Sequence, residues 1–450
     1  MNRRRFLEAA GAGIGTLALG ARRLLATQGS STTEIVVVGA GAFGGWTALY
    51  LREMGFTVTL IDQYGPGNSR ATSGGESRQI RAGYGSRDIY TKWVLQAFDR
   101  WQAREAEWSK RLFFRTGQIT LASQWSRDLI ETRKVFDTLG VKYEIVKHDD
   151  LTRRYPQMNT ASVDFGMFTP STGVLKAREG CVAVAQAFEK KGGRFVTAKV
   201  DLGRRAGSTL QDVALSTGQR VAAQAFVFAC GPWLPKVFPA VMKNKLSTPR
   251  RVVFFYGTPP GDERFTYPNF PTWSVDNAYG FPSIEGKGFK VVPTFEKVIV
   301  DPDTQEHTLT ADELRRGREF VKKWFPALAE QPLVESKVCQ REDSIDGHFI
   351  VDQHPELSNV WLVGGGSGHG YKHGIMLGDY VANRVVGKDK QPELAATFKL
   401  KDGSYLSWGW ARASNFFRKP RDERIASPSL RMIEGADAFG QRREAVPSCQ

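Results

Sequence analysis

From Glu34 to Asp62 the chain reads EIVVVGAGAFGGWTALYLREMGFTVTLID. An apolar run is followed by a glycine-rich turn, a stretch with apolar residues at helical spacing, and a second apolar run closed by an acid. That pattern predicts strand, turn, helix, strand. Gly39, Gly41 and Gly44 set G-x-G-x-x-G in the turn, and Asp62 lies 23 positions beyond Gly39, close to the spacing at which an acid meets a ribose hydroxyl. The first glycine permits the tight turn, the second lets backbone approach a pyrophosphate, and the third lets helix and strand pack closely. The helix N-terminus then offers unpaired N–H groups to the anion. A dinucleotide is therefore expected near the amino end.

Later segments repeat this texture. GCVAVAQAFEKKGGRFVTAKV reads as amphipathic helix, glycine pair and strand; QAFVFACGPW and NVWLVGGG read as two further buried strands ending in turns. Between them, residues 110–170 and 246–334 are richer in aromatics, with strand-like alternation in RRVVFFYGTPP and GFKVVPTF. The expected class is α/β: a Rossmann-like domain from residues 33–109, 171–245 and 335–392, with an antiparallel-sheet substrate domain inserted as 110–170 and 246–334. Residues 393–450 are expected to be a C-terminal extension that wraps the surface or is partly disordered, since no clear hydrophobic period follows YLSWGWARASNFF.

With 450 residues, 41% apolar and 24% charged, the composition is that of a soluble globular protein of two or more domains. The first residues, MNRRRFLEAAGAGIGTLALGA, place arginines before an apolar run too short to span a bilayer comfortably. Residues 1–26 resemble a twin-arginine export signal, which implies the export machinery as a partner and a periplasmic or exported location; an uncleaved anchor or a basic tail is the alternative. Without them the formal charge falls from +15 to +11, because they hold five arginines and one glutamate. The remaining basic residues are scattered, which argues for solubility or an anionic substrate and against a nucleic-acid partner. Cys181, Cys230, Cys339 and Cys449 have spacings that fit neither a zinc site nor a disulfide framework.

GGGSGHGYK, Gly364 to Lys372, follows an apolar run; so many glycines mean that backbone passes close to something bulky, or turns where a side chain would clash. Taken with GAGAFGG, LIDQYGPGNSRATSGGESRQIRAGYG, YGFPSIEGKGFKV and VCQREDSIDGHFIVDQHPELSNVW, it resembles the monomeric sarcosine oxidase family. That family includes pipecolate and fructosyl amino acid oxidases, within the larger group of flavin enzymes similar to D-amino acid oxidase. The likeness runs, with gaps, from about residue 33 to about residue 390.

The resemblance implies bound FAD, with the flavin between the two domains. Gly39, Gly41 and Gly44, with Ala42 and Phe43 beside them, would receive the pyrophosphate; Asp62 and Gln63 would meet the adenosine ribose, and Val200 the adenine. Ser73, Arg78 and Gln79 would line the flavin, and Gly366, Gly368 and Gly370 would run beneath its edge. HGIMLGDYVANRVVG reads as a helix that begins just after this loop and turns its positive end to the ring.

Arg81 and Lys372 match two cations that hold a substrate carboxylate: a planar fork and a compact point charge. Lys290 matches a lysine on the opposite side of the flavin that favours superoxide formation electrostatically, and Tyr279 matches a pocket tyrosine. Cys339 matches a cysteine that forms a thioether to the flavin. The residue-level alternatives are solvated charges for Arg81 and Lys372, a solvent-facing Lys290, a core Tyr279 and an unlinked Cys339. Three departures from the family stand out: QRED at 340–343, and Thr294 and Gly74 where sarcosine oxidases carry histidines. The first bears on the link at Cys339; the two missing histidines reshape the pocket and make sarcosine itself a doubtful substrate. His369 is expected to bond backbone.

The implied reaction is FAD-dependent oxidation of the C–N bond of an amino acid or N-substituted amino acid to an imine, with O2 as acceptor and H2O2 as product. A dehydrogenase serving a quinone or carrier, or a repurposed flavin-binding accessory protein, are the other readings. The sequence does not fix the oligomeric state; a monomer is favoured.

Overall fold

A computed structural model describes residues 34–403; residues 1–26, read above as resembling an export signal, and Cys449 lie outside the described residues. The opening pattern folds as read: strand Ile35–Val38, helix Ala42–Glu53 and strand Val58–Asp62. These two strands are central in a six-stranded sheet ordered Ile350–His354, Leu357–Gly364, Ala225–Phe228, Ile35–Val38, Val58–Asp62, Arg194–Thr197. Every pair is parallel except the hairpin formed by the first two. Ile35–Val38 is buried on both faces, which is why it reads as a continuous apolar run instead of alternating.

Helix Ala42–Glu53 crosses the late helix Gly374–Val385 closely, and two glycines allow it. A Cβ on Gly378 would lie 2.4 Å from Trp46 Cβ, and one on Gly374 would lie 2.6 Å from the Ala42 carbonyl oxygen. The two glycine-rich turns, distant in sequence, are thus clamped side by side.

The second large sheet has eight strands, ordered Leu333–Gln340, Arg250–Tyr256, Phe289–Pro293, Ala278–Phe281, Thr272–Val275, Gln118–Ala122, Phe165–Thr169, Glu144–Lys147. It is antiparallel, as expected, except where Thr272–Val275 pairs parallel with Gln118–Ala122. Strand Leu333–Gln340 also crosses the boundary drawn at residue 335: it is wholly an edge strand of this sheet.

Alternation decides what each face of the sheet carries. Trp273, Phe289, Val291 and Phe254 pack with Val321 and Trp324 of helix Ala311–Trp324 into one core. Tyr279, Phe281, Lys290, Val292, Val253, Phe255 and Cys339 occupy the other face. That helix was not foreseen by the strand reading of 246–334, although its signature is in the sequence: Thr310 and Glu313 form a capping box.

A three-stranded sheet, Ser77–Ile80, Gly173–Lys176 and Phe113–Phe114, carries Arg78 and Gln79. The expected start of the extension at residue 393 is also corrected: helix Pro392–Phe398 belongs to the body, with Phe398 fully buried against Trp93, Tyr380 and Phe349. Among the described residues no helix is long and apolar enough to cross a membrane.

Candidate active site

One cavity of about 1210 Å³ runs from the dinucleotide turn, beneath the inner face of the eight-stranded sheet, to the second glycine loop. This exceeds the ~300–1,000 Å³ of ordinary ligand pockets. Gly39, Gly41, Ala42, Phe43, Asp62, Gln63, Ser73, Arg78, Gln79, Arg81, Val200, Tyr279, Lys290, Cys339, Gly366, Gly368, Gly370 and Lys372 all line it.

Gly44 does not line the cavity, which corrects its assignment to the pyrophosphate. A Cβ there would sit 1.9 Å from the Gly39 carbonyl oxygen, so its work is to pack the helix against the turn. Gly39 is needed for backbone as well: its φ is +106° and a Cβ would lie 2.3 Å from the Ala229 carbonyl oxygen. Gly41 differs, since the nearest atom to a Cβ there is Ser73 Oγ at 3.5 Å; it opens onto the cavity.

These geometries separate two variants. Gly39→Ala is expected to destabilise the fold by roughly 2–4 kcal/mol. Gly41→Ala is expected to leave stability within about 0.5 kcal/mol while lowering the flavin bound. Thermal unfolding and flavin absorbance of the purified variants check both; full flavin content in Gly41→Ala would remove the pyrophosphate from this turn.

Asp62 Oδ2 accepts from Ala40 N at 2.7 Å, and Oδ1 accepts from Tyr64 N and Gly65 N at 2.9 Å each. The carboxylate therefore ties the end of its strand to the turn. Burial raises its pKa against the effect of these three bonds.

The second glycine loop is shaped mainly by protein neighbours. A Cβ on Gly364 would meet Glu342 Oε1 at 2.4 Å, on Gly368 Arg341 Nη1 at 2.7 Å, and on Gly370 Phe43 Cζ at 2.7 Å. Only Gly366 has ordinary clearance, 3.8 Å to Phe43 Cζ. Phe43, Arg341 and Glu342 thus already require glycine at most of these positions, while Gly366, Gly368 and Gly370 also line the cavity. Ser367 sits at φ +46°, held there by its N–H to the Glu342 carbonyl (2.7 Å) and its Oγ to the Gly365 carbonyl (3.0 Å). One turn of 3-10 helix, Tyr371–His373, intervenes before helix Gly374–Val385.

Two groups of cations project into the cavity. In the first, Lys372 is buried, donates to the His369 carbonyl at 3.1 Å, and lies 5.7 Å from the centre of the Tyr84 ring. Arg81 lies 4.3 Å over the same ring. Burial and then Arg81 hold the Lys372 pKa well below its ordinary value.

The second group centres on Lys290, which is only 3% exposed; the solvent-facing alternative is excluded. Its Nζ donates to the Ser77 carbonyl (2.8 Å) and to Ser77 Oγ (3.1 Å) and stands 4.6 Å over the Phe281 ring. Arg78 Nη1 donates to the same Ser77 carbonyl at 2.8 Å. Burial, then Arg78, depress the Lys290 pKa strongly. Cys339 packs with Val253, Phe255, Val292 and Tyr279 nearby.

His369 bonds backbone as expected, Nε2 to the Gly347 carbonyl at 3.1 Å. At Gly74 a Cβ would lie 1.7 Å from the Asn68 carbonyl oxygen, so backbone packing forbids a histidine there without a shift of the loop. Thr294 does line the cavity.

Three site residues carry no local signal in the sequence. Tyr84 and His373 are buried partners, hydroxyl to Nε2 at 2.8 Å. Glu342, in the QRED departure, is 4% exposed and burial pushes its pKa up to about 7. A charged run directly after the strand ending at Gln340 was the only available hint.

The family model described as DAO, FAD dependent oxidoreductase, matches residues 34–384. The chain is 27% identical over 361 residues to a monomeric sarcosine oxidase of Bacillus sp. (strain NS-129), covering 78% of this chain and 92% of that one. It is 25% identical over 360 residues to an N-methyl-L-tryptophan oxidase of Yersinia pestis, covering 78% and 94%. Among solved structures, fructosyl peptide oxidase from E. terrenum shares the fold, with a TM-score of 0.74 at 21% identity over 86% of this chain and 96% of that one.

Proposed function

The chain belongs to the DAO family of FAD-dependent oxidoreductases, and from that premise we propose that it oxidises the C–N bond of an amino acid bearing a secondary amine. The observation that carries this reading is the convergence of two cation groups on one cavity: Arg81 with Lys372, and Lys290 with Arg78. Its relatives include oxidases named for sarcosine and for N-methyl-L-tryptophan.

The chemistry that FAD supplies when bound is acceptance of a hydride from the carbon attached to nitrogen and delivery of two electrons to O2, leaving an imine and H2O2. Gly41 and the helix start at Ala42 would hold the pyrophosphate, Asp62 and Val200 the adenosine end, and Ser73, Arg78, Gln79 and Gly366 would border the ring. Cys339, which lines the cavity, would form the thioether. Arg81 and Lys372 fix the substrate carboxylate, so that the C–N end is presented in one orientation, and Tyr279 packs on the substrate. Lys290, in its protonated form, would set a positive charge where oxygen takes its first electron. In this reading the twin-arginine segment exports the folded, loaded monomer.

Anaerobic mixing with a panel of N-alkyl amino acids tests the reading: at least one should bleach the flavin, and air should restore the colour with release of H2O2. Bleaching that air does not reverse but a quinone or dye does points to a dehydrogenase. A flavin that no amine in the panel bleaches leaves only a binding or accessory role. Acid precipitation of the same sample reports the link at Cys339, through a yellow pellet as opposed to a yellow supernatant.

A further inference from the structure

Two cations held close together normally need an acid between them. Among the described residues, Arg81 has no hydrogen bond or ion pair, and Lys372 has a single acceptor, the His369 carbonyl. An acid in that place would occupy the donors that a substrate carboxylate must use. What both cations share is one aromatic face: the Arg81 guanidinium carbon stands 4.3 Å from the Tyr84 ring centre and Lys372 Nζ stands 5.7 Å from it. Tyr84 is 3% exposed and cannot swing away, since its hydroxyl is bonded to His373 Nε2 at 2.8 Å and His373 is fully buried.

We propose that Tyr84 is the positioning residue of the carboxylate clamp: its ring face holds Arg81 and Lys372 at fixed places by cation–π attraction while leaving their donors free for the substrate. Resting on the reading of Arg81 and Lys372 as that clamp, the inference adds what holds the two cations in place when Asp128, the carboxylate that acts on Arg81, does so through space with no hydrogen bond or ion pair to it. The charged and titratable groups at the ring are Arg81, Lys372, His369 and His373, with Tyr90 behind; Asp128 acts on Arg81, and Arg87 on Tyr90 and His369, from further out. Burial raises the Tyr84 pKa and lowers those of His369 and His373, so the pedestal itself is neutral and adds no charge to the clamp.

The ring-face potential can be varied at nearly constant shape. The flavin-loaded full chain is prepared with Phe at position 84 and then with phenylalanines carrying more fluorines, which cancel the negative potential of the face. Propionate, a carboxylate with no amine to oxidise, is titrated by the flavin absorbance change. Its dissociation constant is expected to rise stepwise across the series, by about 3- to 30-fold between Phe and the fully fluorinated ring. The same order should appear in KM for an N-alkyl amino acid, with kcat moving less.

A flat series, with Phe and the fully fluorinated ring binding propionate alike, overturns the proposal. A rise in kcat sensitivity with no change in propionate affinity overturns it too. Wild-type protein titrated with propionamide separates the two layers. If propionate and propionamide bind equally, the clamp reading itself fails; if propionate is preferred and the series is flat, only the role of Tyr84 fails.

Discussion

Lys290→Met is expected to lower oxygen consumption by roughly 10²–10³-fold, the range seen when one preorganised electrostatic stabiliser is removed, while anaerobic bleaching by substrate and reduction of an artificial dye survive. Methionine keeps the length of the side chain and removes its charge, and no hydrogen bond of Lys290 goes to the substrate side: its two acceptors are both on Ser77. The expected loss is therefore confined to the half-reaction with O2. Stopped-flow measurement of the two halves separately checks this. Wild-type reoxidation in the variant would mean that a different group, or no group, assists oxygen.

The same residue fixes a pH signature. Its folded pKa lies well below the ordinary 10.5 through burial and Arg78, so between the two values the unfolded chain binds the proton that the folded chain lacks. Stability gains from this group as pH rises through that window and is penalised below it. Lys290→Met removes the penalty, so the variant should exceed wild type in thermal midpoint near neutral pH and converge on it at high pH. Catalysis runs in two directions. Substrate oxidation needs the neutral amine and rises with pH, whereas oxygen assistance needs the ammonium and falls once Lys290 loses its proton. A bell-shaped turnover profile follows, and the variant should lose the alkaline limb.

The parts of this enzyme legible in the sequence were those carried by local pattern. Gly39, Gly41 and Gly44 announce themselves because backbone geometry, not context, demands glycine at the first and third, and the buried strands appear as unbroken apolar runs. Periodicity could not tell whether Lys290 faces solvent or cavity, because both faces of its strand are covered: Phe289 and Val291 meet one core and Lys290 and Val292 the other surface. Only the sheet's placement over the cavity resolves that. Helix Ala311–Trp324 was masked by the aromatic texture of its surroundings despite its capping box. Tyr84 and His373 are separated by 289 positions, and such a pair leaves no trace in either neighbourhood. The glycines of the second loop were visible, but their cause was not, since Phe43 and Arg341 reach them from other parts of the chain.

Removing either cation of the clamp should cost more than any other pocket change on the substrate side. Arg81→Ala and Lys372→Met are each expected to lower kcat/KM for a carboxylate-bearing amine by roughly 30- to 1,000-fold, as follows from losing one partner of a desolvated charge pair. For an amine of the same N-substituent without the carboxylate, the loss should be small. The two residues differ in a way that can be read. A guanidinium is a permanent charge, whereas Lys372, depressed by burial and by Arg81, gives up its proton as pH rises. An arriving carboxylate favours the charged form, so binding draws a proton onto Lys372, and KM should climb with pH even while kcat rises with the fraction of neutral amine. Lys372→Arg, permanently charged, should flatten that climb while paying in fit. The double variant should lose less than the product of the two single losses, because the second cation has less to hold once the carboxylate is no longer gripped at both ends. Equal losses for the acid and for its carboxylate-free counterpart would instead place Arg81 and Lys372 in support of the flavin and leave the carboxylate to some other part of the cavity.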